Sequence, residues 1–242
     1  MARVALFFGG RSAEHEVSCV SAVSALEALA SKGHEVVPVG IDRDGGFHLS
    51  DVSRRPLAAD GPRVQLQVPA GTLVGDGIAV GFDVAFPVLH GPFGEDGTIQ
   101  GLFEMAGIPY VGSGVLGSAA AMDKDVANRL FRDAGLPQTP FLAVRAGEFS
   151  ADPAGTIDAI AAEVAYPSFV KPAALGSSVG INRAGNGSEL KDALQEAFAH
   201  GDKAIVEAES TGREIEVAVL QGPRASIPGE IVVANFWASW CT

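Results

Sequence analysis

The sequence predicts an α/β protein: a doubly wound domain built on a parallel sheet, followed by an α+β region. Three observations carry this. Residues 3–8 are apolar at nearly every position, as a strand buried on both faces is. A Gly9-Gly10 turn, a helical stretch and a second apolar run, Glu35–Ile41, follow in order, which makes a β-α-β opening. Residues 82–89 form another apolar run that ends in a glycine-rich loop, and ligands of such sheets sit beyond the carboxyl ends of the strands.

The elements are expected as follows. After the first strand, residues 14–31 read as a helix with Ala22, Ala25, Leu26 and Leu29 on one face, and Glu14 and Glu16 complement its dipole in the first turn. Gly33 ends it. No Gly-x-Gly-x-x-Gly follows the first strand, so this is not the dinucleotide fingerprint. Residues 42–77 are polar and poorly periodic, with short strands expected around His48 and over residues 64–68. Residues 108–111 read as a short strand, with a small-residue helix after it to Ala121. Asp123 is the expected N-cap of a helix over residues 124–134, closed by Gly135 and Pro137. Residues 141–144 read as a strand and 154–164 as a helix. Ser188 is expected to cap a helix carrying Leu190, Ala193, Leu194, Ala197 and Phe198 on one face. Residues 203–207 and 214–220 read as strands.

Composition narrows the function classes. The 242 residues are 47% hydrophobic, enough for one large or two modest domains with a real core. A formal net charge of -12 argues against a nucleic-acid backbone or an anionic membrane surface as partner, while a local cationic pocket stays open. Cys19 and Cys241 are the only cysteines and stand far apart, so no disulfide framework is implied and a cytoplasmic location is expected. The N-terminal apolar run is too short for a membrane span.

Two loops invite chemistry. Residues 169–181 run from an apolar strand through Lys171 into a loop with Gly176, Ser177, Ser178 and Gly180, after which residues 179–181 read as a returning strand. A cation followed by permissive backbone suits a polyphosphate, because lysine is a point charge and glycines let N–H groups approach phosphate oxygens. The order is not that of a P-loop, where the lysine follows the glycines. An ordinary hairpin with a solvated lysine fits the same residues. The second loop, residues 90–101, holds His90, Glu95, Asp96 and four glycines. It suits a site, and equally a structural turn in which Glu95 and Asp96 charge the next helix.

Six blocks, taken in order, resemble the D-alanine–D-alanine ligases of the ATP-grasp superfamily: residues 6–18 (LFFGGRSAEHEVS), 90–101 (HGPFGEDGTIQG), 109–114 (PYVGSG), 122–124 (MDK), 169–181 (FVKPAALGSSVGI) and 212–217 (GREIEV). The resemblance implies a doubly wound pre-ATP-grasp domain over residues 1–121, a first ATP-grasp lobe over 122–203, and the start of a second lobe over 204–235. It also implies ATP as substrate and D-alanine ligation: one D-alanine carboxylate is phosphorylated to an acyl phosphate, which the amine of a second D-alanine attacks, in the making of peptidoglycan precursor.

Roles follow by position. Glu14 matches the acid that holds the ammonium of the first D-alanine, and His90 the histidine that orients it. Ser177 matches the serine linked to that acid through hydrogen bonds, so Glu14 and Ser177 are the catalytic candidates. Lys124 and Lys171 match the lysines on the ATP phosphates, with Ser178 and Gly180 in the loop that covers them. Glu207 matches the acid near the adenine amino group, and Glu214 the acid on the ribose hydroxyls. The family commonly pairs through its N-terminal domain, so a homodimer is carried as an expectation.

The match fades after residue 235. Residues 236–242 (FWASWCT) look instead like the strand leading into a thioredoxin site, whose second cysteine does not follow. The family's Mg²⁺ ligands are not matched here, so no metal ligand is expected among these residues. The polypeptide by itself is therefore expected to have little or no activity. A non-catalytic nucleotide- or D-alanine-binding fragment, and a D-alanyl-D-lactate ligase, are the alternatives.

Overall fold

The computed structural model describes residues 1–68, 71–75, 77–213 and Ile215. The chain divides into two compact units, the first ending at Ala127 and the second beginning at Asn128.

The first unit holds a seven-stranded sheet. Its centre is the strand β1 (Arg3–Gly9), paired in parallel with β2 (Glu35–Ile41) on one side and with β7 (Val84–Pro87) on the other. The crossover helix α1 (His15–Ser31) joins β1 to β2. Alternation along β1 explains why its sequence is apolar throughout. Ala5 and Phe7 face a core shared with Ile99, Phe103 and Ala106, whereas Leu6 and Phe8 face Cys19, Ala22 and Leu26 of α1. Both faces are covered, as a doubly wound sheet requires. The Phe7 ring, wholly buried, makes edge contacts with Phe47 and Phe82 at 5.8 and 6.2 Å and a tilted one with Phe103 at 5.1 Å. Truncating it to alanine would cost about 3–5 kcal/mol.

The excursion after β2 is more ordered than its sequence suggests. The strands β3 (Phe47–Leu49), β4 (Arg63–Gln67), β5 (Thr72–Gly75) and β6 (Ile78–Gly81) extend the sheet as an antiparallel meander, giving the order β6-β5-β4-β3-β2-β1-β7. The strands near His48 and Val64 were expected; β5 and β6 were not, because their short runs carry no clean alternation. At the other edge, the expected strand over residues 108–111 is reduced to one parallel bridge between Ala85 and Tyr110. Two helices follow, α2 (Thr98–Ala106) and α3 (Val115–Met122). The helix α4 (Lys124–Asp133) starts at Asp123, whose Oδ1 accepts from the N–H groups of Asp125 and Val126 at 3.1 Å, as the expected N-cap should.

The second unit carries an antiparallel sheet built from β8 (Phe141–Arg145), β9 (Ser168–Pro172), β10 (Asn182–Ala184) and β11 (Lys203–Ala208), in the order β10-β9-β11-β8. The helices are α5 (Ala146–Ala151), which the sequence reading missed, α6 (Pro153–Glu163) and α7 (Gly187–Phe198). Ile160, Leu190, Ala193, Leu194 and Ala197 pack against Val170, Ala204 and Val206 on one face of the sheet. Strand alternation turns Phe169, Lys171 and Glu207 to the opposite face.

Two local expectations are corrected. The chain returns as a strand at Asn182 rather than over residues 179–181, which form turns closed by Val179 N–H to Gly176 O and Ile181 N–H to Ser178 O. The cap of α7 is Asn186, whose Oδ1 accepts from the N–H groups of Ser188 and Glu189 at 3.0 and 3.1 Å. Ser188 is already inside the helix. The expected strand over residues 214–220 lies outside the described residues apart from Ile215, as do the whole of 236–242 and Glu214.

Candidate functional site

In the first unit, the carboxyl ends of β1 and β7 meet the start of α1. Glu14 stands as the residue preceding α1, not within its first turn, and is 9% exposed. A chain of hydrogen bonds ties it to His90. The Ser12 hydroxyl accepts from the Glu14 N–H at 3.1 Å and donates to the His90 carbonyl at 2.7 Å. The His90 ring in turn has its Nε2 3.0 Å from the Ser21 hydroxyl of α1. Burial holds the His90 imidazole below its ordinary pKa, against an opposing pull from Glu14, so the ring is neutral at neutral pH.

The loop after His90 folds on its own carboxylates. Glu95 accepts from the Gly91 N–H at 2.8 Å, and Asp96 from the N–H groups of Phe93 and Thr98 at 2.9 Å. Neither lies in the first turn of α2, which is capped by Gly97 in the left-handed region; Glu95 closes the loop, while Asp96 both closes it and accepts from the first N–H of the helix, that of Thr98. Burial pushes the Glu95 carboxyl up to about 7, and the charges of Glu14 and Asp96 add to the rise. Gly91, at φ 70°, brings its Cα against Glu14: a Cβ there would lie 2.4 Å from Glu14 Oε2. Any side chain would displace the carboxylate. Sequence reading singled out Glu14, His90 and the loop. It missed the hydroxyls of Ser12 and Ser21, which are common residue types with no marker of their own, and the Arg11 guanidinium 4.9 Å over the Phe93 ring.

In the second unit, Lys171 and Glu207 lie on adjacent antiparallel strands, where Lys171 pairs in register with Ile205 and Phe169 with Glu207. The two are therefore diagonal neighbours on one face. Lys171 Nζ lies 2.8 Å from Glu207 Oε2, and Asn128 Nδ2 donates to Glu207 Oε1 at 2.9 Å. The side chains are only 19% and 16% exposed. The loop beyond Pro172 runs through Ser177, Ser178 and Gly180 at φ 52°, 57° and 69°. Three left-handed residues in four steps turn the backbone sharply, at a cost of about 1–2 kcal/mol for each serine. At Gly180 a Cβ would meet His200 Cδ2 at 2.6 Å and Pro172 Cγ at 2.9 Å. Ser177 is exposed, and Ser178 and Lys124 are half-buried. Glu14 and His90 are thus brought together by one network, and Lys171 and Glu207 by one ion pair. Asn128 is the addition that sequence missed.

A two-unit α/β molecule with a buried Glu-Ser-His network in the first unit and a lysine-led, left-handed loop on an antiparallel sheet in the second has the ATP-grasp form of a ligase. Family models agree. That described as D-ala D-ala ligase N-terminus matches residues 3–113, and that described as D-ala D-ala ligase C-terminus matches 130–238. The chain belongs to the D-alanine–D-alanine ligase family. It is 45% identical to a D-alanine–D-alanine ligase A of Chromobacterium violaceum, over 99% of this chain and 69% of that protein. It is 47% identical to a D-alanine–D-alanine ligase of a Methylobacterium, over 96% and 63%. Among solved structures, a D-alanyl-alanine synthetase A from Vibrio cholerae aligns with a TM-score of 0.81 at 29% identity, over 96% of this chain and 64% of that one. The VanG D-Ala:D-Ser ligase of Enterococcus faecalis aligns with a TM-score of 0.75 at 33% identity, over 87% and 63%. The chain spans about two thirds of the length of these relatives.

Proposed function

We propose that this chain carries the D-alanine and nucleotide-binding groups of an ATP-dependent, ADP-forming ligation of two D-alanines for peptidoglycan precursor synthesis. The single observation that supports it best is that Ser12 joins the Glu14 backbone N–H to the His90 carbonyl at the strand ends of the first unit, where the Glu14 charge acts on the buried His90 imidazole. A carboxylate there is suited to hold the ammonium of an amino acid. A neutral ring can hydrogen-bond a substrate without repelling that ammonium.

The second unit supports the nucleotide half. Lys171 supplies an ammonium already oriented by Glu207, and phosphate oxygens would take up its remaining donors. The loop at Ser178 and Gly180 offers backbone N–H groups to the same phosphates. Lys124, at the first position of α4, is proposed as a second phosphate lysine. Ser177 is proposed as a catalytic residue, and Glu207 as the acid near the adenine amino group. Glu214 is proposed for the ribose on the family pattern alone. When bound, ATP supplies the phosphoryl group that turns a D-alanine carboxylate into an acyl phosphate; the second amine then displaces phosphate. Mg²⁺ is proposed to accompany the nucleotide, and no described residue is assigned to it.

A cytoplasmic location and a homodimer through the first unit belong to the same proposal. Among the described residues no helix is long and apolar enough to cross a membrane. The VanG relative keeps a second reading in view, in which the second substrate is not D-alanine. The test of the main reading is stereochemical: thermal denaturation of the purified chain with D-alanine or L-alanine. A rise in melting temperature with the D-isomer and none with the L-isomer is expected. An equal response to both isomers, or none to either, would overturn the assignment of this pocket.

A further inference from the structure

The start of α1 carries a set of ligand-type side chains that the ligation chemistry leaves unused. The sequence there is His15-Glu16-Val17-Ser18-Cys19. On a helix, residues i and i+4 lie above one another on one face, so His15 and Cys19 are neighbours, and Glu16 stands one turn before Val20 at their edge. The i, i+4 spacing of His15 and Cys19 is that of the two ligands of the helical His-Glu-x-x-His zinc motif, whose glutamate is a base rather than a ligand; Glu16 enters here through its proximity alone. One ligand atom from each of His15, Glu16 and Cys19 lies within 4.8 Å of the others. We propose that His15, Glu16 and Cys19 form a binding site for one thiophilic divalent cation, of the Zn²⁺ kind.

The histidine is prepared for that role. Its Nδ1 sits 2.8 Å from the Gly10 carbonyl, which can only accept, so Nδ1 carries the proton and Nε2 presents its lone pair. Metal-bound histidines are usually fixed this way, by a backbone carbonyl or carboxylate on the other nitrogen. The ring is 9% exposed, and Nε2 has no hydrogen-bond partner among the described residues.

The other two ligands define the ion. Cys19 is 2% exposed, and an ion that binds its sulfur displaces the thiol proton to solvent as the S–metal bond forms. Thiolate with imidazole selects zinc-like ions over Mg²⁺ or Ca²⁺, which take oxygen ligands. Glu16 is exposed and its Oε1 pairs with Arg43 at 3.0 Å. That surface pair is weak enough to yield, since such pairs are worth about 0–1 kcal/mol. Zinc ligand bonds of about 2.0–2.3 Å bring ligand atoms closer together than 4.8 Å, so the three side chains draw together on binding. Three protein ligands leave a fourth position for water.

The experiment uses the 242-residue chain in a Cys241→Ser background, which leaves Cys19 as the one thiol. The reduced protein is titrated with Co²⁺ and followed by the thiolate-to-cobalt charge-transfer absorption. The expected result is saturation at one ion per chain, release of one proton per ion, and displacement of Co²⁺ by Zn²⁺. Cys19→Ser should lose the band. Glu16→Gln, at an exposed position that does not threaten folding, should keep the band and bind more weakly. Absence of the band up to millimolar Co²⁺ on the folded chain would overturn the proposal, as would persistence of the band in Cys19→Ser or unchanged affinity in Glu16→Gln. Should Cys19→Ser fail to fold, the one-proton release in the parent chain decides: none released means no thiolate ligand.

Discussion

Lys171 Nζ lies 2.8 Å from Glu207 Oε2 across two antiparallel strands, and both side chains are less than one-fifth exposed. Breaking such a pair leaves a charge that neither water nor a partner fully satisfies. Glu207→Gln is expected to destabilise the second unit by about 2 kcal/mol, discounted from the 3–5 kcal/mol of a fully buried pair because some solvent reaches both groups. The double change Lys171→Met with Glu207→Gln should cost less than the sum of the single changes. Urea denaturation of the four proteins measures this, and strict additivity would mean the pair is not coupled.

Glu95 gives the first unit a pH-dependent stability with a defined sign. Its folded-state pKa stands at about 7 against an ordinary 4.5, so between those values the folded state keeps a proton that the unfolded state has lost. Stability from this group therefore falls as pH rises through that window, by up to about 3 kcal/mol above it. His90, lowered by burial, slopes the other way, being costly to protonate in acid. The Glu95→Gln variant removes the first effect and leaves the second. It should match the parent near pH 4 and exceed it in stability at pH 8. A difference between the two proteins that does not vary with pH would contradict the assignment.

The corrected cap of α7 is open to a simple comparison. Asn186→Ala removes an oxygen that accepts from two helix N–H groups and should cost about 1 kcal/mol. Ser188→Ala, inside the helix, should change stability by less than half of that. Chemical denaturation distinguishes them, and the reverse order would restore Ser188 as the cap.

Gly91 couples backbone shape to the candidate D-alanine site. Gly91→Ala places a methyl group 2.4 Å from Glu14 Oε2 at φ 70°, so the carboxylate must move or the loop must strain. A loss of about 1–2 kcal/mol in stability is expected from the left-handed backbone alone. The D-alanine response in thermal denaturation should disappear while the nucleotide response is kept. Retention of the D-alanine response would show that Glu14 does not hold the ligand.

The fold was largely legible because its main signals are local. The unbroken apolar run of β1, the glycine turn and the amphipathic face of α7 each follow from burial and spacing. Glu14, His90 and Lys171 stand as candidates for a different reason, since ordered motifs mark them whatever their contacts. What stayed hidden depends on distant partners. β5 and β6 are strands because β4 offers an edge, not because their residues alternate. Asn128 matters because α4 brings it to Glu207, 79 residues away in sequence. Ser188 was mistaken for a cap because serine and asparagine stand two apart and both are good caps; only the geometry at Asn186 separates them. The rise at Glu95 needed its burial to be known, which sequence charge alone does not give.

The central claim is that amino-acid and nucleotide ligands use separate groups in the two units. Isothermal titration calorimetry of the parent, Glu14→Gln and Lys171→Met proteins, each with D-alanine and with ATP, tests it most directly. The prediction is a crossed pattern: Glu14→Gln loses D-alanine and keeps ATP, and Lys171→Met loses ATP and keeps D-alanine. Binding of both ligands unchanged in both variants, or the opposite crossing, would contradict the account.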